Sequence, residues 1–285
     1  QTQVERTERV YRPGTADTQE AGPFIRKYIA RQSGLGEVYQ LLFEKQRAGK
    51  RLTHVPFILD CGLIGDKLVV VMESAPGKTL AACVEALPEQ EKRLAFAQQV
   101  FPELCDAVQE THTAFEHPII HRDITPANII VAADGAHLID LGIARTRNAQ
   151  ATRDTTSLGT WGYASPEQYG FAQTDARSDV YSIGRLLGFM LCGVHPGEKE
   201  YDEALAQANG ITQSTRTAIE KACAFEPSAR YQSAADLAEA LGRPIRTKQH
   251  TAGTWGESTR DMHDQTGTDQ AATSDDAITQ LPAEE

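Results

Sequence analysis

No two cysteines of this chain stand in a Cys-x-x-Cys pair, and the five present, Cys61, Cys83, Cys105, Cys192 and Cys223, are scattered and odd in number. Such usage argues against a zinc ribbon or a disulfide framework and for free thiols in a reducing cytosol. Long apolar runs are missing too. The longest, around residues 180–194, is interrupted by Arg185 and is too short to cross a bilayer. The chain opens on Gln1 without an apolar leader. The expectation is a cytoplasmic segment with no membrane contact of its own, an anchor outside it being left open. Basic residues are the scarcer charge: 28 Lys and Arg stand against 39 Asp and Glu, for a net charge of -11. A general nucleic-acid binder is thereby excluded, because phosphate backbones attract an excess of Lys and Arg. A small basic pocket for a nucleotide is not.

What is present is a chain of 285 residues with 40% hydrophobic content, enough for a packed core. Residues 1–76 are expected to form a reduced, β-rich lobe with one helix. Phe24 to Ile29 and the apolar run Leu68 to Met72 read as strands, and Val38 to Arg47 as the helix. Glu73-Ser74-Ala75-Pro76-Gly77 punctuates the chain as a hinge would. Residues 77–244 are expected to be mostly helical. A long helix carries Leu94, Val100, Phe101, Leu104 and Val108, and Pro102 should bend or break it. Asp179 to Cys192 is almost wholly apolar and should form the centre of that lobe. Further helices are expected near Ser214 to Phe225 and Ala234 to Leu241. Residues 245–285, rich in Thr, Gln, Asp, Gly and Glu, are expected to be a disordered polar tail that cannot offset its own ordering entropy.

The densest chemical signal is His121-Arg122-Asp123-Ile124-Thr125-Pro126-Ala127-Asn128, followed twelve residues past Asn128 by Asp140-Leu141-Gly142. Phosphoryl transfer needs a carboxylate to orient the attacking hydroxyl and oxygen ligands to hold magnesium against the phosphates. Asp123, Asn128 and Asp140 supply those oxygens on two adjoining loops. As ordinary turn residues, the three would need no such flanks as they have.

These strings resemble the catalytic loop and a variant of the Asp-Phe-Gly magnesium motif of bacterial eukaryotic-type serine/threonine protein kinases. The resemblance runs from about residue 24 to 241 and is specific from His121 to Arg230. It implies a two-lobed α+β kinase fold, with ATP and Mg2+ (or Mn2+) as cofactors and proteins as substrates. It further implies that Asp123 is the catalytic base and that Asn128 and Asp140 are magnesium ligands. Gly159 to Glu167 looks like the substrate-docking end of an activation segment, with Thr160 contacting Asp123 and Trp161 packed beneath. Asp179 would hold the catalytic-loop backbone, and Arg230 would pair with a buried Glu167. Lys27 matches the lysine that contacts the α- and β-phosphates. Its partner would be a glutamate of the following helix, Glu44 by distance or else Glu37. Met72 falls at the gatekeeper position, with Glu73 to Ala75 as the adenine hinge.

Two departures accompany the match. Before Lys27 the Gly-x-Gly-x-x-Gly phosphate cradle is degenerate, with only Gly14 and Gly22 in that stretch. Thr125 stands where serine/threonine kinases usually carry a lysine reaching the γ-phosphate; one lost charged stabiliser costs about a hundredfold in rate. Arg122, next to Asp123, implies regulation by a phosphate on Thr155, Thr156 or Ser157, added by the kinase itself and compatible with self-association. Two other functions stay open: a pseudokinase serving as a binding or scaffold module, and a small-molecule phosphotransferase.

Overall fold

The computed structural model describes residues 4–14, 21–146, 159–170 and 172–242. The tail and the segment holding Thr155 to Ser157 lie outside the described residues, so those two expectations have no structural counterpart. The first region is an antiparallel sheet. Strand β1 (Glu5–Arg12) leads to β2 (Ala21–Ala30), helix α1 (Glu37–Arg47) follows, and β3 (Ile58–Ile64) and β4 (Lys67–Glu73) complete a sheet ordered β1-β2-β4-β3. The β-branched run of β4 makes it a central strand between β2 and β3, and in β2 Lys27 lies opposite Thr7 of β1 on one side and Val70 of β4 on the other. Helix α1 lays Val38, Tyr39 and Leu42 against the sheet.

The second region is helical, with short strands that carry the chemistry. A two-residue β5 (Lys78–Thr79) opens it, then α2 (Leu80–Glu85) and α3 (Gln90–Thr113). Strands β6 (Ile119–Ile120), β7 (Ile129–Ala132), β8 (Gly135–Leu138) and β9 (Arg145–Thr146) follow, then α4 (Ala176–Cys192), α5 (Tyr201–Gln207), α6 (Gln213–Ala222) and α7 (Ala234–Ala240). Helix α4 starts on an Asp175/Ser178 capping box and stops at Gly193 in the left-handed conformation. Twelve of its seventeen residues are buried, which makes it the centre of the region as its composition requires.

Pro102 does not break α3, which runs from Gln90 to Thr113 with the proline inside it. A proline within a helix costs about 3 kcal/mol. Phe101, Leu104, Cys105, Val108 and Thr111, all buried, hold the helix in place against that cost. All five cysteines are unpaired. Burial pushes the Cys61 thiol up to about 11 and the Cys223 thiol up to about 12, so neither is a thiolate near neutral pH. Among the described residues no helix is long and apolar enough to cross a membrane.

Candidate active site

The loop from His121 to Asn128 lies between β6 and β7, and two anchors fix its backbone. Asp179, in the first turn of α4 and fully buried, accepts the amides of His121 at 2.8 Å and Arg122 at 2.9 Å. His112 of α3 donates Nε2 to the same carboxylate at 2.8 Å. From the other side Gln168 donates its amide to the Arg122 carbonyl at 2.7 Å. Arg122 needs both, because its φ of 67° is a left-handed conformation that a long side chain seldom adopts and that costs of order 1–3 kcal/mol. Replacing Asp179 by Ala strands two buried amides and His112. The expected loss is about 2–4 kcal/mol of stability in urea unfolding, with the loop as the first part to open in hydrogen exchange.

On this clamped loop Asp123 is held at both oxygens. Thr160 donates its hydroxyl to Oδ1 at 2.7 Å, and the Asn128 amide donates to Oδ2 at 2.8 Å and to the Asp123 carbonyl at 3.0 Å. Both amide hydrogens of Asn128 are thus directed at Asp123, which turns its Oδ1 the opposite way. Thr160 can arrive there because Gly159 precedes it: φ is 139°, and a Cβ would come within 2.5 Å of Gln168 Nε2. Thr125 is buried and gives its carbonyl to the Asn128 amide at 3.0 Å.

Asp140 joins the same loop through the sheet. Strands β7 and β8 pair Ile129 with Leu138, and Ile139 donates to the Asn128 carbonyl at 2.9 Å. Asp140 takes a φ of 63°, which a short acidic side chain tolerates, and its Oδ1 accepts from Lys27 Nζ at 2.7 Å. Lys27 is only 4% exposed. Its second partner is not on helix α1: Glu5 of β1 accepts from Nζ at 2.5 Å.

This corrects the expectation for Glu44 and Glu37, which are both exposed. Glu44 lies two residues past the buried Leu42, about 200° round the helix, so it does not share the face that Leu42 buries. Tyr39 holds the inward position, where its hydroxyl accepts the Leu141 amide at 2.8 Å, and Gly36 donates to the Gly142 carbonyl at 2.9 Å. Burial, then Asp140 and Glu5 nearby, push the Tyr39 phenol well up, so it stays neutral.

At the hinge, Met72 is buried beside a cavity bounded by Tyr39, Ile58, Leu138 and Leu141. The Glu73 amide donates to the Phe57 carbonyl at 2.9 Å, so it does not face a ligand. Burial raises the Glu73 carboxyl, against Arg51 at 3.3 Å, which lowers it. Ala75 is half-buried beside it.

Beyond the loop, Glu167 and Arg230 form the expected pair, at 2.8 and 2.9 Å through both guanidinium nitrogens, and Ser178 adds its hydroxyl at 2.7 Å. Burial pushes the Glu167 carboxyl up, but those bonds outweigh it and hold it below the usual range. Trp161 corrects another expectation. It is 70% exposed, edge-on to Tyr169 at 6.3 Å, with its ring lying against Gly197, where a Cβ would come within 2.5 Å of it. Glu5, Tyr39, His112 and Gln168 are the site residues that sequence reasoning missed. Only Gln168, directly after Glu167, carried a local signal.

A sheet-bound lysine on an aspartate, a clamped loop with a doubly held carboxylate and a buried Glu-Arg pair define the class: a two-lobed protein kinase domain. The chain belongs to that family, whose model for the protein kinase domain matches residues 51–254. It is 35% identical over 192 residues to the serine/threonine-protein kinase PknB of Mycobacterium tuberculosis, covering 61% of this chain and 30% of that protein. PknB of Mycobacterium leprae is 34% identical over 187 residues, 59% of this chain and 29% of that protein. PknD of Mycobacterium tuberculosis is 28% identical over 258 residues, 84% of this chain and 38% of that protein. The chain thus spans about a third of the length of these relatives.

Kinases of this family generally use ATP and Mg2+. The residues present fit that pair. Asp140 and the Asn128 amide oxygen offer hard oxygen donors, as magnesium requires, and Asp140 Oδ1 already carries a cation in the form of the Lys27 ammonium.

Proposed function

We propose that this chain transfers the γ-phosphoryl group of ATP to serine or threonine hydroxyls of proteins. The observation that carries the reading is the Asp123 carboxylate fixed at both oxygens, by Thr160 and by Asn128. Bound Mg2+·ATP supplies the phosphoryl group and the charge that offsets the phosphates. Asp123 takes the proton of the attacking hydroxyl, and its two hydrogen bonds hold it at the angle the hydroxyl must meet. Lys27 would give an N–H to the α- and β-phosphate oxygens of the nucleotide, which leaves as ADP, while Asp140 and the Asn128 amide oxygen would hold the metal. Met72 bounds the adenine pocket, and the Glu73 carbonyl and Ala75 offer its hydrogen bonds. Buried Thr125 supports the turn through its carbonyl, without the charge a lysine would bring, which favours a slow enzyme.

Protein acceptors are favoured by Glu167 and Arg230, which fix the segment after Thr160 as a docking surface. Autophosphorylation between two copies at Thr155 or Thr156 is part of the same proposal. The test is incubation with labelled ATP and magnesium or manganese, in parallel with an unrelated protein acceptor and a metabolite panel, followed by mass spectrometric mapping. Label on serine or threonine, with Thr155 or Thr156 among the sites, is the expected result. No transfer by wild type over hours would leave a scaffold module, and label on metabolites alone a small-molecule phosphotransferase.

A further inference from the structure

We infer that Glu5 of strand β1, not a glutamate of helix α1, is the residue that positions Lys27 for nucleotide. The inference rests on the proposed function and concerns the same site. Strand register delivers Glu5: Thr7 lies opposite Lys27, so Glu5, two residues along, shares its face of the sheet at the diagonal position a long side chain spans. Nζ then sits between two carboxylates, 2.5 Å from Glu5 Oε1 and 2.7 Å from Asp140 Oδ1. Room for both comes from Gly142. A Cβ there would lie 2.8 Å from Glu5 Oε2 and 3.2 Å from Asp140 Oδ1.

The arrangement divides the work of the two carboxylates. Two acids around one ammonium leave a net negative charge, which draws a further cation to the cluster. Asp140 would give up Lys27 if a metal took the Oδ1 oxygen that now holds it. Glu5 would not, and an ammonium has three N–H donors, so Lys27 keeps Glu5 while turning another N–H to a phosphate. Without Glu5, Asp140 would be the one carboxylate left of the two that hold Lys27, and metal and ammonium would compete for it. Helix α1 takes the complementary task of alignment: Tyr39 and Gly36 hold the Asp140-Leu141-Gly142 backbone by hydrogen bonds rather than by charge.

The test measures binding, not turnover. Fluorescent ADP is titrated into wild type, Glu5→Gln, Glu5→Asp and Glu44→Gln over a range of magnesium concentrations, with melting curves to confirm folding. Removing a charge-assisted bond to Lys27 is expected to weaken nucleotide binding about tenfold or more in Glu5→Gln. The same variant should need more magnesium for half-saturation, a shift that a merely structural defect would not produce. Glu5→Asp should recover part of the affinity, and Glu44→Gln should match wild type. Unchanged or tighter binding by a folded Glu5→Gln would overturn the inference and make Glu5 dispensable or an obstruction. Weakening confined to Glu44→Gln would return the role to the helix. Those results leave the kinase reading intact, whereas a wild-type protein that binds no nucleotide would overturn both.

Discussion

An Asp123→Asn protein is expected to lose about three orders of magnitude in phosphoryl transfer while keeping its fold and its nucleotide affinity. The size follows from removing a positioned proton acceptor, whose contribution is typically 10²–10⁴-fold, roughly. The amide keeps one oxygen to accept from Thr160 and loses the bond from Asn128 to Oδ2, while Asp179 and Gln168 still anchor the loop backbone. Nor does Asp123 touch Lys27, which the expected phosphate contact requires and which Asp140 and Glu5 hold independently. Single-turnover transfer to a protein acceptor, read beside nucleotide titration, separates the two effects. Equal rates in wild type and variant would remove Asp123 from the chemistry, and equal loss of binding would make it a structural residue.

The second large effect falls on stability. Arg230→Ala is expected to destabilise the protein by about 3–5 kcal/mol, because it leaves the Glu167 carboxylate buried without its partner. Arg230 also donates to the carbonyls of Ala224, Phe225 and Arg177, so the substitution unties the α6–α7 connection from α4 as well. A paired replacement by apolar residues of similar volume should recover much of the loss, since the desolvation cost leaves with the charges. The pH dependence has a definite sign. The folded pKa of Glu167 lies below its unfolded value, so the stabilisation is complete above the unfolded carboxylate pKa of about 4.3 and is lost as pH falls through the folded one. The urea midpoints of wild type and Arg230→Ala should therefore converge on acidification below about pH 4. A gap that stays constant across that range would place the effect in packing rather than charge.

Where function depends on short loops, linear spacing carried it. Asp123 to Asn128, the Asp140 turn, Thr160 on Asp123 and Asp179 under the loop are separated by strands and helices whose ends the apolar pattern marks, and each meets its partner at hydrogen-bond distance. The Glu167–Arg230 pair was legible for the same reason. Legibility fails where a contact depends on phase or register. Counting seventeen residues from Lys27 reaches Glu44 but ignores the helix phase, which turns that carboxylate outward. Finding Glu5 requires the register of β1 on β2, set by pairings distributed over the whole hairpin. The family model itself begins at residue 51, beyond both. Trp161 follows from the activation-segment resemblance as packed beneath, yet its ring lies against Gly197 on the surface, a placement no linear pattern carries. Of the bend or break that Pro102 signals, the break does not occur: the burial of α3 carries the helix through it.

The measurement closest to the centre of this account is a structure of the protein with Mg2+ and a non-hydrolysable ATP analogue. It should show the metal bound by Asp140 and the Asn128 amide oxygen, Lys27 on the α- and β-phosphates with Glu5 still attached, and Asp123 directed at the γ-phosphate. A triphosphate seated elsewhere, or a metal that leaves Asp140 paired to Lys27 and touches neither Asp140 nor Asn128, would contradict it.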